Sequence, residues 1–411
     1  MTGTSEGQGE GAPPRHRLLL AALLGGAALA ALARGLAPGA VAPMLQVAQP
    51  VGQLFLGLLV AAVIPLAVSS LILALADLDP RSLGRLGARL LLYAAASSAV
   101  AALIGLLLVT AVGPGRGVAP EVRAAAPAPA AVAQQPAPPP LSPATIAIFA
   151  LVLATLATGL TLGRARGPRA TALRAQVETL HRLSTRSAGW VMRLAPLGVG
   201  ALVFATAARL GGAAIRPLLL YVAVVIVGLL LQGGVVYALA VRFLGGMSPA
   251  RFFRGSRAAM ATAFSTASSA ATLPTTLRVA EEELRLPPAA SRLVLTAGSA
   301  MNQNGTTLFE GVTVLFLAQV YGVDLSPLQQ GSIMAISILA GVGSAGVPGG
   351  GTFAIATLLL LFGIPVEGVG LIAGVDRLLD MCRTTVNVTG DLALAVIVSR
   401  GEDPPPADPL R

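Results

Sequence analysis

The stretch Asp376–Asp391, DRLLDMCRTTVNVTGD, sets three carboxylates and two arginines inside sequence that is otherwise apolar. AIATLLLLFGIPVEGVGLIAGV runs before it and LALAVIV after it, so the cluster reads as part of a membrane span. On a helix turning about 100° per residue, with Asp376 at zero, Asp380 falls near about 40°, Arg383 about −20°, Thr384 about 80°, Asn387 about 20° and Asp391 about 60°. These six share one stripe roughly 100° wide, while Leu378, Leu379, Val386 and Val388 point elsewhere. An ionisable side chain at the bilayer centre costs at least about 2.5 kcal/mol, so such a stripe must face a protein interior or an aqueous path.

The rest of the chain agrees with a membrane setting. Of its 411 residues 55% are hydrophobic and only 11% charged, with a mean hydropathy of +0.79; a soluble domain carries about 25% charged residues. The net charge of +10 raises a nucleic-acid reading, but every cation is Arg, with no Lys, and the arginines sit in inter-span loops as topology signals do. The single cysteine, Cys382, excludes an intramolecular disulfide and a cysteine metal site. His16 and His181 lie in Arg-rich flanks and form no catalytic or metal pair. No cleavable signal is evident, and residues 1–14 are polar, as in a disordered tail.

Apolar segments of bilayer length run over Leu18–Leu32, Leu54–Ala76, Leu90–Val112, Ala144–Leu162, Trp190–Ala208 and Leu218–Val241. The loops rich in arginine alternate with sparser ones, which predicts cytoplasmic termini and three in–out pairs of spans. Residues 113–143 form a Pro/Ala linker expected to be an extended extracytoplasmic loop. Residues 164–189 are Arg-rich, with Leu173, Val177, Leu180 and Leu183 at helical spacing, which suits an amphipathic helix on the cytoplasmic membrane face.

After residue 250 two apolar stretches are broken by small residues and proline: FSTASSAATLPTT (264–276) and GVGSAGVPGGGT (341–352). Each precedes a longer segment with polar residues, around Asn302–Glu310 and Asp376–Asp391. Discontinuous helices at corresponding positions of two repeats point to a transporter binding site, and irregular backbone at membrane depth is tolerated only where it is buried or lines a cavity.

Four blocks in this order, ASSAATLP (267–274), NQNGT (302–306), GSAGVPGGG (343–351) and DRLLDMCRTTVNVTGD (376–391), resemble the dicarboxylate/amino acid:cation symporters, the glutamate transporter family. LGRLGARLLLYAAASS (83–98) and MRLAPLGVGAL (192–202) are similar to its third and fifth spans, so the resemblance covers about residues 15–400. It implies an all-α polytopic membrane protein with eight transmembrane helices, two re-entrant helical hairpins and inverted repeats, working as an elevator-type transporter. A six-span region over 15–248 would hold scaffold spans one, two, four and five and transport spans three and six. The transport core would occupy 249–400, with hairpin 1 at about 249–280, span 7 at about 286–322, hairpin 2 at about 328–363 and span 8 at about 365–400, before a tail at 401–411. A homotrimer in the cell inner membrane is also implied.

For substrate, the resemblance gives Arg383 the side-chain carboxylate, which a planar guanidinium suits, and Asp380 the α-ammonium. Ser269, Thr306, Val347, Thr384 and Asn387 become further substrate contacts, and Asp376 orients Arg383. For sodium it implies Gly298, Asn302, Asn387 and Asp391 at one site and Gly341, Val342 and Ser344 at a second. The third family site reads Asn-Met-Asp-Gly-Thr in most sodium-coupled relatives; here Gln303 and Asn304 replace its Met and Asp, and Ala94 its tyrosine, while Ser97 and Ser98 remain. That departure implies a third site weakened or absent.

Glu310 stands where animal glutamate transporters hold a proton-carrying Glu. Desolvation disfavours a buried carboxylate's charge, so a proton is a second candidate coupling ion; the competing reading pairs Glu310 with an arginine of a neighbouring helix, Arg377 being the candidate. An additional family arginine is missing, its positions holding Ala267 and Met381. The function implied is uptake of glutamate or aspartate, with a dicarboxylate or neutral amino-acid symporter, or an uncoupled ion channel, as alternatives. Asp380 and Arg383 could also merely neutralise each other. No nucleophile–base constellation supports an enzyme.

Overall fold

A computed structural model describes residues 15–76, 80–118, 143–211, 215–343 and 350–400. All regular structure among them is helical. The N-terminal tail, most of the Pro/Ala linker, Ser344, Val347 and the C-terminal tail lie outside the described residues.

The helices in chain order are α1 (Arg15–Leu36), α2 (Pro38–Ala76), α3 (Pro80–Val112), α4 (Pro143–Arg164), α5 (Pro168–Leu210) and α6 (Ile215–Phe243). They continue as α7 (Pro249–Thr266), α8 (Ser269–Arg278), α9 (Pro288–Met301), α10 (Asn304–Tyr321), α11 (Pro327–Gly343), α12 (Gly350–Leu361) and α13 (Val369–Val398). Among the described residues three helical stretches are long and apolar enough to cross a membrane by themselves: Leu92–Val112, Ile215–Phe243 and Val369–Val398. A fourth is added if the two bent halves of α5 count as one.

Two expectations change here. The sequence predicts separate elements at 164–189 and Trp190–Ala208, yet all of this from Pro168 onward belongs to the 43-residue α5. It bends by 51° between Pro168–Val191 and Arg193–Arg209. Pro196 explains the bend, since its ring collides with the carbonyl four residues earlier, at Met192. The segment at 286–322, read as one span, is two helices, α9 and α10, separated at Asn302–Gln303.

α1 and α2 pack on α5, and glycines set how closely. A Cβ at Gly26 would lie 2.6 Å from the Gly200 carbonyl oxygen, and one at Gly52 would lie 2.6 Å from Leu202. Small residues let backbones approach in a membrane, where apolar burial alone gives little drive for association.

α10 packs against α3, α11 and α13. Every residue from Asn304 to Ala318 is buried. Phe316 stacks on Tyr221 of α6 with centroids 4.5 Å apart, and the Tyr221 hydroxyl meets Thr313 Oγ1 at 2.8 Å. α13 runs unbroken through this core, touching α6, α7, α9 and α10.

α7 and α8 form the first hairpin. Ser248 caps α7, accepting from the Arg251 amide at 3.4 Å with Pro249 in the first turn. At the tip Ala267 takes a left-handed conformation (φ 49°), and Ser268 then caps α8 by accepting from the Ala271 amide at 3.2 Å. α11 and α12 also touch each other, while residues 344–349 between them lie outside the described residues.

Candidate functional site

The break in α9/α10 exists because a neighbouring helix completes it. Asn304 begins α10, so the amides of its first turn lack intrahelical acceptors. Asn387 Oδ1, on α13, accepts from Gly305 N at 2.7 Å and Thr306 N at 3.4 Å. Its own Nδ2 donates to Gln303 Oε1 at 2.6 Å and Thr306 Oγ1 at 2.9 Å. Thus Asn387 caps α10 from across the interface. Gly305 permits the approach: a Cβ there would stand 2.5 Å from the Arg383 carbonyl oxygen.

One helical turn before Asn387, Arg383 is 3% exposed and Asp380 7%. Asp380 Oδ1 accepts from Arg383 Nε and Nη2, each at 2.9 Å, and Asp380 Oδ2 lies 3.6 Å from Arg377 Nη1. The Arg383 guanidinium sits over the Phe309 ring, 4.5 Å from its centroid. Its Nη1 has no hydrogen-bond partner and lies against Gly351 of α12, where any Cβ would collide with it. Asp376 and Glu310 are the further carboxyl groups that act on it.

Glu310 is wholly buried in α10, and neither of its carboxyl oxygens has a hydrogen-bond partner. Arg383 is the cation that acts on it. Arg377, the candidate partner from sequence, pairs with Asp380 instead.

Of the expected sodium ligands, Asn302 and Asp391 meet directly, Asn302 Nδ2 donating to Asp391 Oδ1 at 3.1 Å. Both are buried. Gly298 lies in the last turn of α9. Gly341 and Val342 end α11, among its last four residues, whose carbonyls have no intrahelical donor. Ser269 is buried in the first turn of α8, and Thr384 is buried beside Arg383 on α13. The structure therefore brings Thr306, Glu310, Arg383 and Asn387 together across the α10–α13 contact, with Asp380 held on Arg383 from within α13.

Sequence reasoning missed Phe309, whose ring lies under the Arg383 guanidinium. It also missed two wholly buried residues of α6, Gln232 in the π-helical turn Leu231–Val236 and Tyr237 just after it. The signal was present as a lone Gln with two glycines in an apolar span, LLLQGGVVY, and π-turns gather at functional sites.

The sequence profile of the Sodium:dicarboxylate symporter family matches residues 17–401. The chain is similar to excitatory amino acid transporter 2 of Homo sapiens, 30% identical over 413 residues, covering 84% of this chain and 72% of that one. The proton/glutamate-aspartate symporter of Escherichia coli (strain K12) is 31% identical over 377 residues, 85% of this chain and 84% of its own. The proton/sodium-glutamate symport protein of Bacillus caldotenax is 31% identical over 381 residues, 86% and 87%. With a site of buried opposite charges at a broken helix and a match running nearly end to end, the chain belongs to the sodium:dicarboxylate symporter family.

Proposed function

We propose that this protein is a secondary active symporter that takes up glutamate or aspartate with sodium, and with a proton carried at Glu310. The observation that carries the reading is the Asp380–Arg383 pair, sealed in the core at 2.9 Å with one guanidinium nitrogen unpartnered. A buried pair of this kind is weak as a stabilising device. An acidic amino acid brings the inverse pair of charges, so it exchanges partners with the protein: its side-chain carboxylate takes Arg383 and its α-ammonium takes Asp380. Asp376 holds Arg383 oriented, while Ser269, Thr306, Val347, Thr384 and Asn387 complete the contacts. The family and the names of its relatives support the same substrate class.

Sodium is cargo here. Asn302, Asn387, Asp391 and the Gly298 carbonyl supply hard oxygens for one ion, and Gly341, Val342 and Ser344 for another at the end of α11. Glu310 has no hydrogen bond to hold its charge, so it is neutral when protonated and returns empty with its charge facing Arg383. We read the chain as eight spans and two hairpins in inverted repeats. Residues 15–248 then hold the scaffold with transport spans three and six, 249–400 the transport core, and the 1–14 and 401–411 tails face the cytoplasm. A trimer in the inner membrane with an elevator motion completes the reading.

Radiolabelled glutamate uptake into proteoliposomes tests it, with sodium and pH gradients imposed separately and aspartate, succinate and serine as competitors. Accumulation above equilibrium that needs an inward ion gradient and is blocked by aspartate supports the proposal. Flux without accumulation would make the protein a channel, and block by succinate alone would make it a dicarboxylate carrier.

A further inference from the structure

Away from the Asp380–Arg383 site, a cavity of about 290 Å³ opens where the turn after α3 meets the loop from α10 to α11. It lies just under the range of about 300–1,000 Å³ that drug-sized ligands occupy, so it suits a smaller molecule. Its wall is fixed by internal hydrogen bonds. Gln319 of α10 accepts from Gly115 N at 3.0 Å and donates to Val109 O at 3.1 Å, which ties the turn after α3 to α10. A Cβ at Gly115 would stand 2.6 Å from the Phe316 carbonyl oxygen, so the two backbones are in close contact. On the α11 side, Gln330 Nε2 donates to Leu325 O at 2.9 Å.

Two lining side chains stand apart from this wall. Arg116 and Asp324 are exposed and opposite in charge, and among the described residues neither has an ion pair or a side-chain hydrogen bond. The Arg116 amide donates to Gly113 O at 2.9 Å, and a Cβ at Gly113 would lie 2.7 Å from Arg116 Cδ. The turn thus seats the stem of Arg116 and leaves its guanidinium unengaged. Asp324 follows the left-handed cap of α10 at Gly322, which also lines the cavity. The partial negative charge of a helix C-terminus adds to the carboxylate there. One cavity therefore has a positive pole and a negative pole that do not neutralise each other.

We propose that this cavity binds a small zwitterion without net charge, a neutral amino acid, whose carboxylate takes Arg116 and whose ammonium takes Asp324 at the end of α10. A lone anion would gain Arg116 but meet Asp324, and a lone cation the reverse. Glutamate would bring a second carboxylate, and Arg116 is the only cation among the described lining residues. The preference is thus opposite to that of the Asp380–Arg383 site. Both charges are open to water, so screening keeps the binding weak, in the millimolar range. The bound molecule would join the turn after α3 to the loop that enters α11. No lining residue belongs to the sites proposed for glutamate or sodium, so the cavity can fill whatever the cargo is.

Saturation-transfer NMR of serine on the purified full chain, in sodium-free buffer, tests the site. Serine should bind saturably, and Arg116→Gln and Asp324→Asn should each weaken it by about fivefold, the upper value for an exposed ion pair. Asp380→Asn should leave the serine signal as it is. In the wild type, acetate and methylammonium each carry one half of the zwitterion, and each should displace serine at least about fivefold less well than unlabelled serine does. A serine signal lost in Asp380→Asn but kept in Arg116→Gln and Asp324→Asn would belong to the transport site and overturn the proposal. Acetate as effective as serine would make the cavity an anion site, and no serine binding would leave it a solvated cleft; either result refutes the zwitterion. Both side chains are exposed, so the variants should assemble as the wild type does. If one of them does not, the other variant and the acetate and methylammonium comparison decide.

Discussion

Replacing Asp380 by Asn removes one charge from the Asp380–Arg383 pair and nearly nothing from its shape. Asp380 Oδ1 receives both Nε and Nη2 of Arg383 at 2.9 Å, and the Arg383 side chain is 4% exposed. Breaking a buried pair from one side costs about 3–5 kcal/mol, because the remaining charge stays desolvated. Asp376 offsets part of that, so the protein should melt earlier and still assemble. The binding effect is more selective. Glutamate loses a charged acceptor for its ammonium, a hydrogen bond worth about 1.5–3 kcal/mol, or about ten- to a hundred-fold in affinity. Succinate has no ammonium to lose, and it meets an arginine freed from its internal partner. Competition against labelled substrate should therefore show the glutamate-to-succinate affinity ratio falling by at least about tenfold. If both ligands weaken by the same factor, Asp380 acts on structure alone and the exchange of partners is wrong.

Glu310, Gly305 and a surface ion pair give three further expected outcomes. Glu310→Gln should flatten the pH dependence of uptake, since an uncharged group that cannot titrate replaces the only buried carboxyl of α10; an unchanged pH profile would remove its proton role. Gly305→Ala places a methyl 2.5 Å from the Arg383 carbonyl oxygen, and overpacking of about 1–3 kcal/mol should lower the melting temperature and the uptake rate together. On the surface, Arg292 donates to Glu281 at 2.6 and 3.1 Å, and this hydrogen bonding holds the Glu281 carboxyl below the usual carboxylate range. A lowered folded-state value contributes stability above the unfolded carboxyl's pKa of about 4.3 and loses it as pH falls through the folded value. Arg292→Gln should thus narrow the gap in melting temperature between neutral and acidic pH, as read by melting curves across that window.

The stripe on α13 was legible because it depends on one helix only: the spacing of Asp380, Arg383 and Asn387 fixes their shared face whatever lies opposite. The hairpin at α7/α8 was legible for a similar reason, its tip being marked by local serines and a small residue able to turn. The break between α9 and α10 was not. The segment reads as a continuous span, and what opens it is a cap from Asn387, 82 residues later than Gly305. Gln232 is marked in the sequence as a lone polar residue in an apolar span, but its partner Ser97 and the meeting of Tyr237 with Asn304 are set by packing between helices distant in sequence. The bend in α5 could have been read from Pro196, but the change from arginine-rich to apolar sequence suggested two elements instead.

The cap supplied by Asn387 also bears on how the chain is made. Synthesis delivers α10 before α13, so for a time the first amides of α10 have no acceptor from their own helix and none yet from its neighbour. In hydrocarbon, open backbone groups of that kind are costly. The half-helix must wait in water, at the translocation machinery or at the membrane surface, until the last helix arrives. A chain ending before Val369 would then leave the first turn of α10 without its cap, so α13 closes assembly as well as carrying the Asp380–Arg383 pair.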